Sequence, residues 1–135
     1  MSNLLVRRAL EKRLETITPP LATSWENIDF KPVSGVPYQE VKLLFAEPDN
    51  PVFGDNFHIE QGYMQVSLRY PIQKGNADIG ARAELIRSAF KRGNSLVEGV
   101  VTVMIDRTPS IGVGFPDGDR YQVPVKIRWY SHITS

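Results

Sequence analysis

The sequence contains no cysteine, which excludes disulfide bonds, thiolate metal sites and cysteine nucleophiles. It has only two histidines, His58 and His132, so there is little material for acid–base catalysis near neutral pH. It also lacks an excess of charge of one sign, because 16 basic side chains are balanced by 15 acidic ones. Proteins that bind nucleic acid or anionic membranes usually have a strong basic excess, so neither class is indicated.

Long hydrophobic runs are missing as well. The most apolar stretch, Leu96–Ile105, includes Glu98 and is far too short to span a bilayer. The N-terminal apolar segment is too short and too charged for a signal peptide. With 135 residues, of which 41% are hydrophobic and 23% charged, the chain has the size and composition of one ordinary domain. We expect a single domain over residues 1–135, in a soluble protein made in a cytoplasm and without membrane contact.

The segment from Gly62 to Gly93 organises the rest of the chain. It begins with apolar residues in strict alternation with polar ones, at Met64, Val66, Leu68 and Tyr70, which predicts a strand with one covered face. Pro71 ends this strand, and a polar turn follows. Apolar residues then recur with helical spacing, at Ile79, Ala83, Ile86 and Phe90, with Leu85 and Ala89 widening the stripe. The pattern predicts a strand, a turn and a helix that packs on the sheet, and none of its residues forms a reactive motif.

The segments before it predict further elements. Helical spacing indicates a first helix over residues 2–17, which Pro19 and Pro20 end. An extended stretch over 21–30 carries Trp25, Ile28 and Phe30, which we interpret as core or interface anchors. A strand is predicted over 41–46, followed by a long loop over 47–59. Long loops in small domains are usually functional or mobile.

The segments after it are rich in β-branched residues. Residues 95–105 predict one buried strand, residues 116–119 a tight turn, and residues 121–129 a closing strand. In that strand Tyr121 and Trp129 lie on one face and the basic residues on the other, and Pro124 suggests an edge, a bulge or a late start to the pairing. Two helices and mostly consecutive strands indicate an α+β fold, with a mostly antiparallel or mixed β-sheet and both helices packed on it.

A search for chemistry finds only weak candidates. His58 and Glu60 would share one face of a strand, as two metal ligands can, but no third ligand is evident. The glycines at Gly112 and Gly114 precede no helix, so they do not form a phosphate-binding loop. We therefore expect no catalytic residue, no cofactor, no metal and no enzymatic activity. A small hydrolase or metal enzyme around His58 remains the less favoured alternative.

Several motifs nevertheless form a recognisable series. A Trp-x-x-x-x-Phe segment lies at Trp25 to Phe30, a strand at Gly62 to Pro71, and a Gly-Asn-Ala turn comes before the helix. The helix reads Ala-Glu-Leu-Ile-Arg-Ser-Ala-Phe-Lys-Arg-Gly from Ala83 to Gly93, and an Asp-Gly-Asp-Arg-Tyr turn spans Asp117 to Tyr121. Over nearly its whole length the chain resembles the tail terminator, or tail completion, proteins of long-tailed bacteriophages.

The resemblance implies a fold and a structural role. The family fold is a sandwich of helices packed on a sheet, in agreement with the α+β pattern. Its subunits form a ring, typically a hexamer, that caps the tail tube, ends its polymerisation and presents its other face to the head-completion connector. It follows that the partners would be further copies of the chain, the tail tube protein and the connector protein, with DNA passing through the lumen without sequence-specific binding. The alternative within the virion is a head-tail connector or tail tube component.

Loop position and expected exposure select the candidate contact residues. For the ring or tube interface we expect Val52 and Phe53 on the long loop, and Phe115, Asp117 and Arg120 at the tip of the last hairpin. In a different interpretation of the long loop, Phe53 and Phe57 turn back into the core of their own domain.

Overall fold

The computed structural model describes residues 2–51, 57–72 and 77–134. In these ranges the chain forms two helices, α1 (Ser2–Glu15) and α2 (Ala77–Ala89). It also forms the strands β1 (Ala22–Ser24), β2 (Tyr38–Phe45), β3 (Phe57–Pro71), β4 (Ser95–Glu98), β5 (Val101–Met104), β6 (Ser110–Ile111), β7 (Phe115–Asp117) and β8 (Arg120–Thr134). Neither helix of the described part is long and apolar enough to cross a membrane.

All of these strands belong to one sheet, in the order β1-β2-β3-β8-β5-β4, with β6 and β7 also paired to β8. Strand β1 runs parallel to β2, whereas the other pairs are antiparallel. A mixed sheet with two helices is the α+β fold that the sequence predicts, and the prediction is confirmed.

The centre of the sheet is the pairing of β3 with β8. The two strands are antiparallel partners over their full length of 15 residues each, from Phe57 opposite Thr134 to Pro71 opposite Arg120. Their alternate residues form one buried face, at Met64, Val66, Leu68, Val123, Val125, Ile127 and Trp129. Helix α2 packs on β3 and β8, and α1 packs on β4 and β5, so the two helices cover different parts of the sheet. The alternation predicted for both strands is confirmed.

Gly62 makes close contact possible at the middle of the sheet. It pairs with Phe45 on one side and with Trp129 on the other. A Cβ atom at this position would overlap the backbone carbonyl oxygen of Leu44 and would lie 3.1 Å from Cζ2 of Trp129. The Trp129 side chain is fully buried and packs edge-on against Phe45, with 5.2 Å between the ring centroids. The glycine therefore lets a large aromatic side chain lie over the sheet.

The prediction for Pro124 is wrong, because β8 is an interior strand. The carbonyl oxygen of Pro124 accepts a bond from the backbone N–H of Gly112, at 2.8 Å. Within a strand the N and C=O of one residue point to the same side, so the proline nitrogen points away from β3. On that side β6 pairs with Val125 and Lys126 and ends before Gly112, because Pro124 accepts the bond from Gly112 but has no N–H with which to return one.

Residues 95–105 form a hairpin of β4 and β5 where one strand was predicted. The reversal occurs at Gly99 and Val100, and Gly99 has a left-handed φ of 59° that glycine adopts without strain. The β-branched residues on both sides conceal this turn in the sequence.

Other details differ from the sequence prediction. Strand β3 begins at Phe57, so the predicted loop over 47–59 ends earlier, and Asp49 forms a bridge with Ile59. Leu85 is 40% exposed and does not widen the buried stripe of α2, and Ile28 is 63% exposed and is not a core residue. Trp25 does pack against the core.

The two glycines Gly62 and Gly80 provide a matched test of this packing. Gly62→Ala introduces a clash with backbone, and we expect it to destabilise the fold by about 3 kcal/mol or more, or to prevent folding. Gly80 lies in α2 with nothing within 4 Å of a built Cβ, so Gly80→Ala should stabilise by roughly 0.5–1 kcal/mol. Urea unfolding of both variants measures the difference, and equal effects would contradict the close packing at Gly62.

Candidate assembly surfaces

Ion pairs connect the tip of the hairpin formed by β7 and β8 to the neighbouring strands. Arg69 of β3 forms ion pairs with Asp117, at 2.5 Å, and with Glu40 of β2, at 3.2 Å. The Asp117 side chain remains 46% exposed, and Phe115 on the same short strand is 43% exposed. Both residues thus have the exposure that the sequence analysis expected of them.

Arg120 does not have the expected exposure, because its side chain is only 6% exposed. Its guanidinium donates to the carbonyl oxygens of Val33, at 2.7 Å, and of Val36, at 2.6 Å. It also lies over the ring of Tyr38, with 4.8 Å to the ring centroid. Arg120 therefore fastens the loop over residues 31–37 to the sheet, a role that its sequence position gave no way to foresee. Its predicted contact with a neighbouring subunit stays a prediction.

Arg120 is surrounded by exposed apolar side chains that the sequence analysis did not select. Val33 is 63% and Val36 45% exposed, and Ile72, whose N–H donates to Asp119, is 39% exposed. Together with Phe115 we call these residues the tip patch. An apolar residue in a loop rich in proline and glycine is the signal that could have found Val33 and Val36.

A second group of exposed apolar side chains lies elsewhere, on the outermost strand β4 and the turn after it. Val97 is 70% and Val100 95% exposed. We call these two residues the edge patch. Strand β4 pairs with β5, and β5 pairs with β8 at Tyr130. The tip patch lies instead at the Arg120 end of β8. The two patches are thus different surfaces, at different ends of the β8 strand.

Helix α1 and the turn at Trp25–Ile28 enclose an open groove of about 630 Å³, which contains Arg7 and three carboxylates. Arg7 pairs with Glu26, at 3.0 Å, and weakly with Glu11, at 3.8 Å. Burial raises the pKa of Glu11; Arg7 opposes this shift, and the nearby charges of Glu15 and Glu26 add to it.

His58 and Glu60 do lie side by side, with 3.0 Å between Nε2 and Oε1. Within residues 2–51, 57–72 and 77–134 there is no group of three or more His, Cys, Asp or Glu side chains that could hold a metal ion. The pair alone offers two ligands and no nucleophile, which is too little for a zinc site. The predicted contacts Val52 and Phe53 lie outside the described residues.

An α+β domain with several exposed apolar side chains, the tip patch and the edge patch among them, is suited to work through its surfaces, as a subunit of an assembly does. The sequence matches the family model "Phage tail terminator protein" over residues 5–129. This chain belongs to the phage tail terminator family, and the resemblance found in the sequence is confirmed. Its role is thus structural, in a phage tail.

A solved structure supports the fold. It aligns with a TM-score of 0.80 and 24% sequence identity, and the alignment covers 100% of this chain and 98% of the other. No curated protein matches the sequence.

The role of Arg120 can be tested by Arg120→Met, which keeps the length of the side chain and removes its donors. We expect a loss of about 1–3 kcal/mol in the free energy of unfolding, because the hydrogen bonds from a charged donor to the loop carbonyls of Val33 and Val36 disappear. Backbone amides over residues 31–37 should then exchange faster with deuterium. Arg107→Met, at an exposed arginine, is the control and should change neither quantity. Unaltered exchange in Arg120→Met would show that the loop is held by other contacts.

The raised pKa of Glu11 predicts a dependence of stability on pH. A carboxyl whose pKa in the folded state lies above its unfolded value of 4.5 binds its proton more tightly in the native state. Its contribution to stability therefore falls as the pH rises from the unfolded pKa through the folded pKa. Glu11→Gln should therefore raise the free energy of unfolding at neutral pH and give no such gain well below pH 4.5. Unfolding curves at both pH values measure this, and a loss of stability at neutral pH would show that the pairing with Arg7 dominates.

Proposed function

We propose that this chain assembles into a ring, a hexamer as the resemblance implies, that caps the growing tail tube and ends its polymerisation. The other face of the ring forms the interface to the head-completion connector. The observation that carries the proposal is the family match over residues 5–129. The whole chain, residues 1–135, acts as a single domain in this assembly.

The distribution of exposed apolar surface supports ring formation. A cyclic ring needs two different, complementary surfaces on each subunit, since each copy contacts its neighbours head to tail. The tip patch and the edge patch are different surfaces, separated along β8, and they are available for these two contacts. The sheet also ends in two different short strands, β1 and β4, which makes its two edges unlike one another. A chain whose sheet has two unlike edges can contact its neighbours head to tail and so form a closed ring.

The remaining contacts concern the tube, the connector and the DNA. We assign the tube and ring contacts to Val52, Phe53, Phe115, Asp117 and Arg120, of which Phe115 and Asp117 are exposed in the isolated chain. DNA passes through the lumen without sequence-specific binding, in keeping with a net charge of only +1. The chain is made in the host cytoplasm, ends in the virion tail and acts without catalysis or a cofactor.

The proposal predicts the phenotype of particles that lack the protein. Tails should grow beyond their normal length, because nothing stops polymerisation, and electron microscopy of negatively stained lysates measures the lengths. Tails of normal length that are detached from filled or leaking heads would contradict termination and indicate a connector instead.

A single substitution can link this phenotype to the tip patch. Phe115→Asp places a charge on an exposed apolar residue, so the chain should fold normally and fail to restore normal tail length. Thr108→Asp adds the same charge at an exposed polar position and serves as the control. If Phe115→Asp restored normal tail length completely, the tip patch would not be part of the interface.

A further inference from the structure

A small, partly open cavity lies beside β1. Its volume is about 90 Å³, and it is lined by the end of α1, the segment from Pro20 to Trp25, Gln39 of β2 and Arg82 of α2. None of its lining residues belongs to the tip patch or the edge patch. A space of this size is enough for a small organic anion or a few water molecules.

Arg82 is the unusual member of this lining. Its side chain is on the buried side of α2 and only 5% exposed. One terminal nitrogen, Nη1, donates to the carbonyl oxygen of Pro19, while Nε is buried and has no partner. None of the ion pairs among the described residues includes Arg82. Burial also lowers the pKa of this guanidinium, as expected for a charge that is removed from water without a compensating anion.

An uncompensated buried arginine is costly, so its retention needs an explanation. Buried charges in proteins are nearly always paired, since the desolvation of an isolated ion amounts to several kcal/mol. The guanidinium presents planar, parallel donors that fit a carboxylate. A carboxylate in the cavity would supply both the missing charge and the missing acceptor.

Gln39 lines the same cavity and has an N–H to offer. It is 2% exposed, its Nε2 donates to Thr23 Oγ1 at 2.9 Å, and its Oε1 has no partner. Thr23 Oγ1 in turn donates its one hydrogen to the carbonyl oxygen of Leu21, at 2.9 Å, so Thr23 has no hydrogen left for Gln39 Oε1. The amide nitrogen of Gln39 carries a second hydrogen, and this N–H is the group of Gln39 that can bind an anion beside Arg82.

We propose that Arg82 and Gln39 form a binding site for a carboxylate group. The carboxylate belongs either to a free small organic acid or to an acidic side chain of a second copy of this chain. Glu15 lies at the rim of the cavity and is exposed, so its negative charge lowers the affinity of the site for a free acid. Binding of a free acid does not depend on the ring, and its failure is therefore distinguishable from a failure of the proposed function.

The free acid is tested on dilute full-length protein with acetate as the probe and chloride at equal ionic strength as the reference. We expect acetate to shift the Arg82 Nε–H signal in a saturable manner and to raise the melting temperature. Arg82→Met should abolish the rise in melting temperature, and Glu15→Gln should enlarge it. Arg8→Met removes an exposed arginine of α1 and is the control that keeps the effect.

The second source is tested by self-association. If acetate leaves the dilute chain unchanged but Arg82→Met weakens assembly in light scattering relative to Arg8→Met, the carboxylate comes from a second copy. The proposal is overturned if acetate does not shift the Arg82 Nε–H signal and Arg82→Met does not weaken assembly. It is also overturned if acetate raises the melting temperature of Arg82→Met as much as that of the unchanged protein. Arg82→Met can also alter folding. The shift of the Arg82 Nε–H signal in the unchanged protein therefore tests binding of the free acid without that variant.

Discussion

The pairing of β3 with β8 is the interaction on which the rest of the molecule depends. These two strands supply the largest part of the buried sheet surface, and every other strand except β1 and β4 pairs directly with one of them. Because side chains alternate with a period of two, a slip by one residue would move the whole apolar face away from the helices. The contact between Gly62 and Trp129 marks the correct register, since only a glycine leaves room there.

This central ladder also explains where the exposed apolar surfaces arise. One of its ends carries the hairpin tip, where Arg120 fastens a loop and leaves Val33 and Val36 exposed around it. Near its other end β5 and β4 extend the sheet to an edge with Val97 exposed. The same interior ladder therefore holds two unlike apolar surfaces at a fixed separation, as a subunit needs if it contacts different neighbours on its two sides.

The sequence predicts this interior well and the surface poorly, for physical reasons. Alternation in β3 and β8 and helical spacing in α2 are local patterns that burial imposes on consecutive residues. The turn at Gly99 is hidden in a run of β-branched residues, and the direction of the Pro124 nitrogen depends on strands distant in sequence. Arg120 looked like an exposed charge because its carbonyl partners lie 84 and 87 residues away. The motifs that indicated the family are structural residues, which explains why they could be recognised without any reactive group.

This chain belongs to the phage tail terminator family. The central claim of its proposed function is that its copies contact each other and the tail tube through different surfaces. Cryo-electron microscopy of intact virions, with the chain located in the density, tests this most directly. We predict one closed ring of copies between the tail tube and the head connector, with neighbouring subunits in contact through different surfaces. Copies distributed along the tube, or confined to the head, would contradict the account.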